Sequence, residues 1–478
     1  MHKGIEGEVF ILQGLTLKEI LEATGGRVLC RSNHNEDFKG LSIDSRSISQ
    51  GEIFIALKGQ RHDGHDFLMD ALKTGAGAII SIPPPIPIKG KTIIYVNNTL
   101  RALQAIANYK RKKVNVPVIA VTGTNGKTTT KELIASVLGV RFRVLKSSGN
   151  LNNHIGLPLS LVNISSDHDF AVLEMGASIK GDIRDLCEIA EPDYGVLTNI
   201  GQAHLESFGS IDLIRDTKLE LFEVVNLIVA NGDDRFLMEG IDRRIKQGFR
   251  NNKRLITYGI DTLSDIQASN IEFDEWGSSF EVTIKVGQPS RLTEDRRVEI
   301  KLKIPGRCNI YNALAAVSIC YALGVSVEDI KRGIESFEGV PMRLEFKKIK
   351  GVTILSDLYN ANPASMEQAI KELVRLKKSR AVAILGDMLE LGSYAVDAHD
   401  RIAGLIATLP IDVFVAVGPM MSRIAEELSG KIETHIYKDS EEAAGVLSRI
   451  CREGDTVLVK GSRGMMMERI LEVETDAL

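Results

Sequence analysis

The chain is 478 residues long, 44% hydrophobic and 26% charged, which suggests about three domains with sizeable cores and excludes global disorder. Its 59 lysines and arginines stand against 63 acidic residues, a formal net charge of −4 that argues against nucleic acid as the main partner. Cys30, Cys187, Cys308, Cys320 and Cys451 are scattered and never spaced C-x-x-C, so they read as reduced thiols and exclude a disulfide frame or a zinc site.

At the N-terminus, Glu6, Glu8 and Gln13 interrupt any secretory apolar core, and no later apolar run reaches the ~18 residues of a membrane span. A cytoplasmic protein without membrane insertion is expected. Thr16 predicts the cap of a helix over 17–23 that ends at Gly25-Gly26. Strand-like runs follow at 52–57, 78–82 and 92–96, and Pro83-Pro84-Pro85 reads as a rigid surface connection. Arg111-Lys112-Lys113, ahead of Pro117, reads as an exposed linker closing a first mixed α/β segment, residues 1–113.

The second segment, 114–339, opens with the most informative run of the chain. Val118-Ile119-Ala120-Val121-Thr122 is an apolar strand that stops at Gly123-Thr124-Asn125-Gly126-Lys127-Thr128-Thr129, and a helix is predicted over 131–138. Backbone N–H groups of such a turn converge on an anion, and the helix dipole adds positive potential. Lys127 reaches terminal phosphates and the Thr128 hydroxyl is placed for Mg²⁺. The motif departs from G-x-x-x-x-G-K-T, because Val121 stands at the first glycine. The strand–loop–helix context favours nucleoside triphosphate binding over a tight turn with a solvated lysine.

Strands are predicted at 170–174, 194–198 and 227–230, an alternation with helices that gives a mostly parallel sheet. The first ends in Glu174, either a solvated tip or a Mg²⁺ ligand. The second passes into Thr198-Asn199-Ile200-Gly201-Gln202-Ala203-His204, whose histidine is either structural or a ligand. Lys218 falls in a helical run over 214–225 and, on residue type alone, reads as a solvated face residue. Alternating runs at 280–286 and 298–304 predict an antiparallel addition, and 307–323 returns to helix.

The third segment, 340–478, offers strands at 352–357, 381–387, 413–418, 434–437 and 456–461, separated by helices. Five such strands make a small doubly wound sheet with ligands at their carboxyl ends. Asp357-Leu358-Tyr359-Asn360-Ala361-Asn362-Pro363 stands at one of those ends. Asp357 is either a ribose ligand or part of an Asx-turn, Tyr359 and Asn360 are candidate substrate contacts, and Pro363 opens a helix. Arg343 lies near the predicted hinge, where a guanidinium reaches phosphates held by the other domain.

Together these residues carry a resemblance. Gly123-Thr124-Asn125-Gly126-Lys127-Thr128, followed in order by Glu174, His204, Lys218, Asn309, Arg343 and Asp357, resembles the Mur ligases, ATP-dependent amide-bond-forming enzymes of peptidoglycan precursor synthesis. The likeness covers essentially the whole chain and accounts for Val121. Residues 357–363, Leu385-Gly386-Asp387-Met388-Leu389-Glu390-Leu391-Gly392 and Val459-Lys460-Gly461-Ser462-Arg463 resemble the MurF-type branch, which adds D-alanyl-D-alanine. Asp44-Ser45-Arg46, 51–57 and Asp63-Gly64-His65 resemble the uridine-diphosphate domain that this branch shares with the preceding ligase. Cys308 stands where the family more often has histidine.

The resemblance implies an α/β protein of three domains. These are an N-terminal mixed α/β UDP-binding domain (1–113), a central phosphate-loop ATPase-like domain with a mostly parallel sheet (114–339), and a C-terminal doubly wound Rossmann-like ligase domain (340–478). It implies that Gly123 to Thr129 bind ATP, with Glu174, His204 and Thr128 as Mg²⁺ ligands and Lys218 carbamoylated to hold a second ion. Asn309 and Asn312 would contact adenine, Asp357 the ribose, Arg343 the phosphates, and Ser45 and Arg46 the UDP moiety. The implied reaction joins D-alanyl-D-alanine to a UDP-N-acetylmuramoyl-tripeptide through an acyl phosphate, and a monomer is expected. A sister ligase adding a diamino acid or lysine to the dipeptide precursor is the nearest rival. A folate polyglutamylating ligase would not need the uridine-binding segment. A guanine-nucleotide switch would need Asn-Lys-x-Asp, whereas Asn252-Lys253 is followed by Arg254-Leu255.

Overall fold

The computed structural model describes residues 15–32, 37–59, 61–86, 88–249, 253–285 and 296–475. Glu6, Glu8, Gln13, Asn252 and Val286, used above, lie outside the described residues. Among the described residues three sheets of five, nine and six strands carry the fold, with a two-stranded ladder, Leu15–Thr16 against Asp37–Phe38, beside the first. Among the described residues no helix is long and apolar enough to cross a membrane.

The first sheet runs Arg27–Cys30, Thr92–Tyr95, Gly77–Ile80, Glu52–Ile55, Gly40–Ser42, parallel except for its first strand. Thr16 caps the helix Leu17–Thr24 as predicted, in a reciprocal box with Glu19, and Gly25 ends it at φ 63°.

The nine-stranded sheet runs Arg296–Leu302, Ser278–Ile284, Ile266–Phe273, Arg254–Gly259, Leu227–Asn231, Tyr194–Leu197, Val118–Thr122, Phe170–Glu174, Val144–Lys146. Val118–Thr122 is buried along its whole length, as a parallel strand covered on both faces must be, so its sequence is continuously apolar. Ser278–Ile284 alternates buried and half-buried residues, the pattern of an antiparallel strand with one wet face. It pairs antiparallel with both neighbours, which is the predicted addition. Val144–Lys146 and Arg254–Gly259 are strands the sequence reading passed over.

The third sheet has six strands rather than five: Glu345–Ile349, Val352–Asp357, Thr456–Lys460, Ala381–Gly386, Val413–Val417, Glu433–Tyr437. The extra one, Glu-Phe-Lys-Lys-Ile, pairs antiparallel at the edge. Lysines on an edge strand discourage further pairing, and they also hide the strand from a search for apolar runs.

Two expectations fail here. Arg111 is not in an exposed linker: it belongs to the helix Thr99–Lys113 and is buried. Its guanidinium donates to Ala190 O (3.0 Å), Glu191 O (3.1 Å) and Asp193 Oδ2 (3.0 Å), and Asp193 also accepts Val118 N at 2.8 Å. The cation is buried because the carboxyl end of the helix Asp182–Ala190 supplies carbonyls that need a donor. Arg111→Met, similar in length, is expected to cost about 2 kcal/mol of stability, read from denaturant titration.

Lys218 is likewise not a solvated face residue. It closes the helix Ile211–Lys218, which gives way to a second helix, Glu220–Val224, and it is only 4% exposed. It lies four residues after the buried Ile214, on the inward face of the helix, which carries it into the interior.

Candidate active site

The loop after Val118–Thr122 is shaped by two glycines in the left-handed region, Gly123 at φ 147° and Gly126 at φ 80°. A Cβ on Gly123 would stand 1.9 Å from Thr198 Oγ1, and one on Gly126 would stand 2.3 Å from Asn312 Oδ1. The loop can press this closely on its neighbours only with hydrogen at both positions. It is tied to the turn after Tyr194–Leu197: Thr124 N donates to Asn199 O (2.8 Å), Asn125 N to Asn199 Oδ1 (2.9 Å), Gly201 N to Thr124 Oγ1 (2.9 Å) and Thr198 Oγ1 to Asn125 O (2.6 Å). Gly123→Ala is expected to lose about 2–4 kcal/mol of stability from combined strain and overpacking, seen as a lower thermal midpoint together with weakened ATP binding.

The helix that follows is Lys127–Leu138, four residues longer at its start than predicted. Lys127 Nζ folds back to donate to Gly123 O (3.0 Å) and Thr124 O (2.9 Å), poised over the concavity of the loop. Burial pushes this ammonium below its ordinary range, and Arg343 adds to the effect while Glu174 opposes it. Thr129 is buried beside it in the first turn.

Glu174 is 1% exposed. Its Oε2 accepts the Thr128 hydroxyl (2.8 Å) and its Oε1 the Asn152 amide (2.7 Å). Both hydrogen-bond partners are neutral, so this buried carboxylate has no directly paired cation, although the Lys127 ammonium is near enough to feel its charge. That donor set, a carboxylate with an adjacent hydroxyl, suits a hard divalent cation such as Mg²⁺. Among the described residues no three His, Cys, Asp or Glu side chains converge on one point. A cation here would therefore complete its shell with phosphate and water oxygens, as Mg²⁺ usually does.

Lys218 sits in the same interior. Burial first, then the charge of Lys127, pushes its pKa down to about 7, with Asp182 acting weakly the other way. An ammonium that loses its proton near neutrality is a nucleophilic amine. Asp182 itself is engaged by His154 Nε2 at 2.9 Å.

His204 is ion-paired with a carboxylate other than Glu174. It adopts φ 54° at the start of the short helix Leu205–Phe208, and its Nδ1 lies 2.6 Å from Glu390 Oε2, on the third sheet's side of the cleft. The histidine holds the Glu390 carboxyl below its ordinary range.

The third sheet meets the loop through more contacts. Arg343 Nη2 donates to Thr128 Oγ1 (3.1 Å), and the guanidinium stacks 3.7 Å from the centre of the Tyr359 ring. Asn362 Nδ2 donates to Asn125 Oδ1 at 2.7 Å. Asn362 also caps the helix Pro363–Leu376, with Pro363 at its first position, so the cap at this strand end is not Asp357. Asp357 pairs instead with Lys460, whose ammonium also donates to Asn360 O at 2.8 Å.

Asn309 and Asn312 are buried beneath the loop. Asn309 donates to Pro305 O (2.6 Å), Asn312 donates to Asn309 Oδ1 (3.0 Å), and Asn312 Oδ1 accepts Thr130 Oγ1 (3.2 Å). Ser45 and Arg46 lie apart from this centre, in the turn after Gly40–Ser42, where Arg46 forks onto Asp44 at 3.0 and 2.7 Å. The sequence reading gave no role to Asn152, Asn199, Glu390 or Lys460. Asn152 could have been noticed in the asparagine-dense run Asn150-Leu151-Asn152-Asn153, whereas Glu390 acquires meaning only opposite His204.

Comparison with known proteins decides the lineage. Residues 121–320 match the profile of the Mur ligase middle domain, 342–463 that of the Mur ligase glutamate ligase domain, and 37–120 that of the Mur ligase family catalytic domain. The UDP-N-acetylmuramoyl-tripeptide–D-alanyl-D-alanine ligase of Bacillus subtilis is 34% identical over 96% of this chain and 97% of its own length. The chain belongs to the Mur ligase family.

Solved Mur ligase structures agree. MurF from Acinetobacter baumannii superposes with a TM-score of 0.83 at 29% identity, over 98% of this chain and all of its own. MurF from Thermotoga maritima, in complex with ADP, superposes at 0.78 with 30% identity, over 91% and 97%. The expected three-domain α/β architecture of a Mur ligase is the one observed.

Proposed function

We propose that this Mur ligase joins D-alanyl-D-alanine to a UDP-N-acetylmuramoyl-tripeptide at the expense of ATP, forming the UDP-muramoyl-pentapeptide precursor of peptidoglycan. The single observation that carries the proposal is the full-length likeness to ligases of that activity, and the convergence of Lys127, Thr128, Glu174 and Arg343 supports it. The rival that adds a diamino acid or lysine has no observation in its favour.

The peptide carboxylate attacks the γ-phosphorus of ATP, the bond to the β-bridging oxygen breaks, and ADP leaves. The amine of D-alanyl-D-alanine then attacks the acyl carbon, and the tetrahedral adduct expels inorganic phosphate while the nitrogen loses its proton. Two anions must meet in the first step, so preorganised positive charge is the main catalytic need. Lys127 and the loop amides of Gly123 to Thr129 cradle the β- and γ-phosphates, and Arg343 reaches them from across the cleft. Thr128, Glu174, His204 and a carbamoylated Lys218 are the residues to hold Mg²⁺, which would neutralise charge on the phosphoryl oxygens.

Asn309 and Asn312 are assigned to the adenine side, Asp357 to the ribose, Tyr359 and Asn360 to substrate, and Ser45 with Arg46 to the UDP group. The segments 1–113, 114–339 and 340–478 then act as uridine-nucleotide, ATP and ligase domains of a cytoplasmic enzyme. Closure of the third onto the second would exclude water from the acyl phosphate.

The deciding measurement is phosphate release with each amine offered to each UDP-linked acceptor. Turnover is expected only with the tripeptide and D-alanyl-D-alanine together, and activity with a free diamino acid alone would defeat the assignment. Oxygen-18 placed in the peptide carboxylate is expected to appear in the released phosphate.

A further inference from the structure

Two segments distant in sequence meet at His204. One is the turn Gly201 to Glu206 after the central strand Tyr194–Leu197, and the other is residues 387–392, after Ala381–Gly386 of the third sheet. Their contact is built from both backbones. Glu206 N donates to Glu390 O at 3.3 Å, and a Cβ on Gly392 would stand only 3.3 Å from Glu206 Cα. His204 at φ 54° and Glu390 at φ 62° are both non-glycine residues in the left-handed region. Such conformations persist where surrounding structure imposes them, and they concentrate at functional sites.

The 387–392 segment is held rigidly from behind. Met388 N donates to His399 Nε2 (3.1 Å), and Leu389 N to Ser462 Oγ (2.8 Å). Asp387 accepts Met421 N (2.8 Å) and Met420 N (3.2 Å) from the helix Pro419–Leu428. Glu390 thus projects from a fixed arm of the C-terminal domain, and its Oε2 lies 2.6 Å from His204 Nδ1. A carboxylate at Nδ1 keeps the proton on that nitrogen, leaves Nε2 with its lone pair and fixes the ring's direction. This is how an outer carboxylate prepares a histidine to ligate a metal.

We propose that Glu390 is a positioning residue: supplied by the C-terminal domain, it orients His204 so that a divalent cation is held fully only when that domain is docked on the central one. The inference rests on the reading of His204 as a metal ligand given above. It would couple domain closure to completion of the metal site, so that phosphoryl transfer is enabled only in the enclosed state.

The test uses Mn²⁺, titrated by electron paramagnetic resonance into the full-length chain saturated with the non-hydrolysable analogue AMP-PCP. Glu390→Ala is expected to weaken Mn²⁺ binding about tenfold or more, and His204→Ala at least as much. Glu390→Gln is expected to recover most of the loss, because its amide oxygen still accepts the Nδ1 proton. Small-angle scattering of the same complexes is expected to give one radius of gyration for wild type and both Glu390 variants.

Unaltered Mn²⁺ affinity in Glu390→Ala would overturn the proposal, and so would unaltered affinity in His204→Ala. Equal losses in the alanine and glutamine variants would assign the effect to charge rather than to ring orientation, which also overturns it. A radius changed by Glu390→Ala would make the residue a latch between domains and would overturn the positioning role. Wild-type turnover with the tripeptide and D-alanyl-D-alanine is read separately, so failure of the ligase assignment is distinguishable from failure of this inference.

Discussion

Lys127→Ala is expected to lower kcat/KM for amide formation by about a thousandfold or more while leaving the fold intact. The reacting carboxylate and the γ-phosphate are both anionic, and one preorganised charge contact in a desolvated site is worth ~3–4 kcal/mol of barrier. Among the described residues the side chain hydrogen-bonds to Gly123 O and Thr124 O, carbonyls at the rim of a loop whose shape is set by Thr198, Asn199 and Asn312. Removing it therefore should not collapse the loop. Because burial already disfavours this ammonium, the thermal midpoint should stay level or rise slightly. Lys127→Arg should not restore the rate, since a planar fork replaces a compact ammonium on a backbone cradle. Steady-state kinetics with a thermal melt checks both halves, and a residual rate within tenfold of wild type would remove Lys127 from the phosphoryl-transfer step.

Lys218→Ala is expected to reduce turnover by about 10²–10³-fold and to be partly rescued by formate or acetate, which supply the anion that a carbamate would otherwise provide. The buried amine with its pKa near 7 would attack the carbon of dissolved CO₂. An N–C bond would form, the nitrogen would give its proton to water, and a carbamate anion would result. The direction with pH follows from the shift. Between about pH 7 and the ordinary lysine range the folded chain binds fewer protons here than the unfolded chain, so stability rises with pH across that window. Below pH 7 the folded chain carries a buried ammonium and the full cost of burying it. The carbamate signal from ¹³C-bicarbonate should therefore be present at pH 8 and fade below about pH 6.5. Its absence at pH 8, with no rescue of the alanine variant, would end the assignment.

Features that depend on local period and turn chemistry are legible in the residues alone. Continuous apolar runs at Val118–Thr122 and Phe170–Glu174 are parallel strands covered on both faces, and Gly123 and Gly126 announce a loop that presses on its neighbours. The order of Lys127, Glu174, His204, Lys218, Arg343 and Asp357 was enough to point to the family. The sequence could not reveal the edge strands Val144–Lys146 and Glu345–Ile349, which are short or charged and complete no apolar period.

Which cations are buried emerges once the sheets and helices are packed. Arg111 looks solvated until carbonyls some 80 residues away need its donors, and Lys218 looks solvated until its helix packs with the Ile214–Lys218 face inward, near Lys127. The same packing decides that Arg343 reaches Thr128 across 215 residues of chain, and that His204 meets Glu390 rather than Glu174. One cause underlies all four. Periodicity and turn preference act within a few residues, whereas desolvation and charge pairing depend on groups brought together by sheets formed elsewhere in the chain.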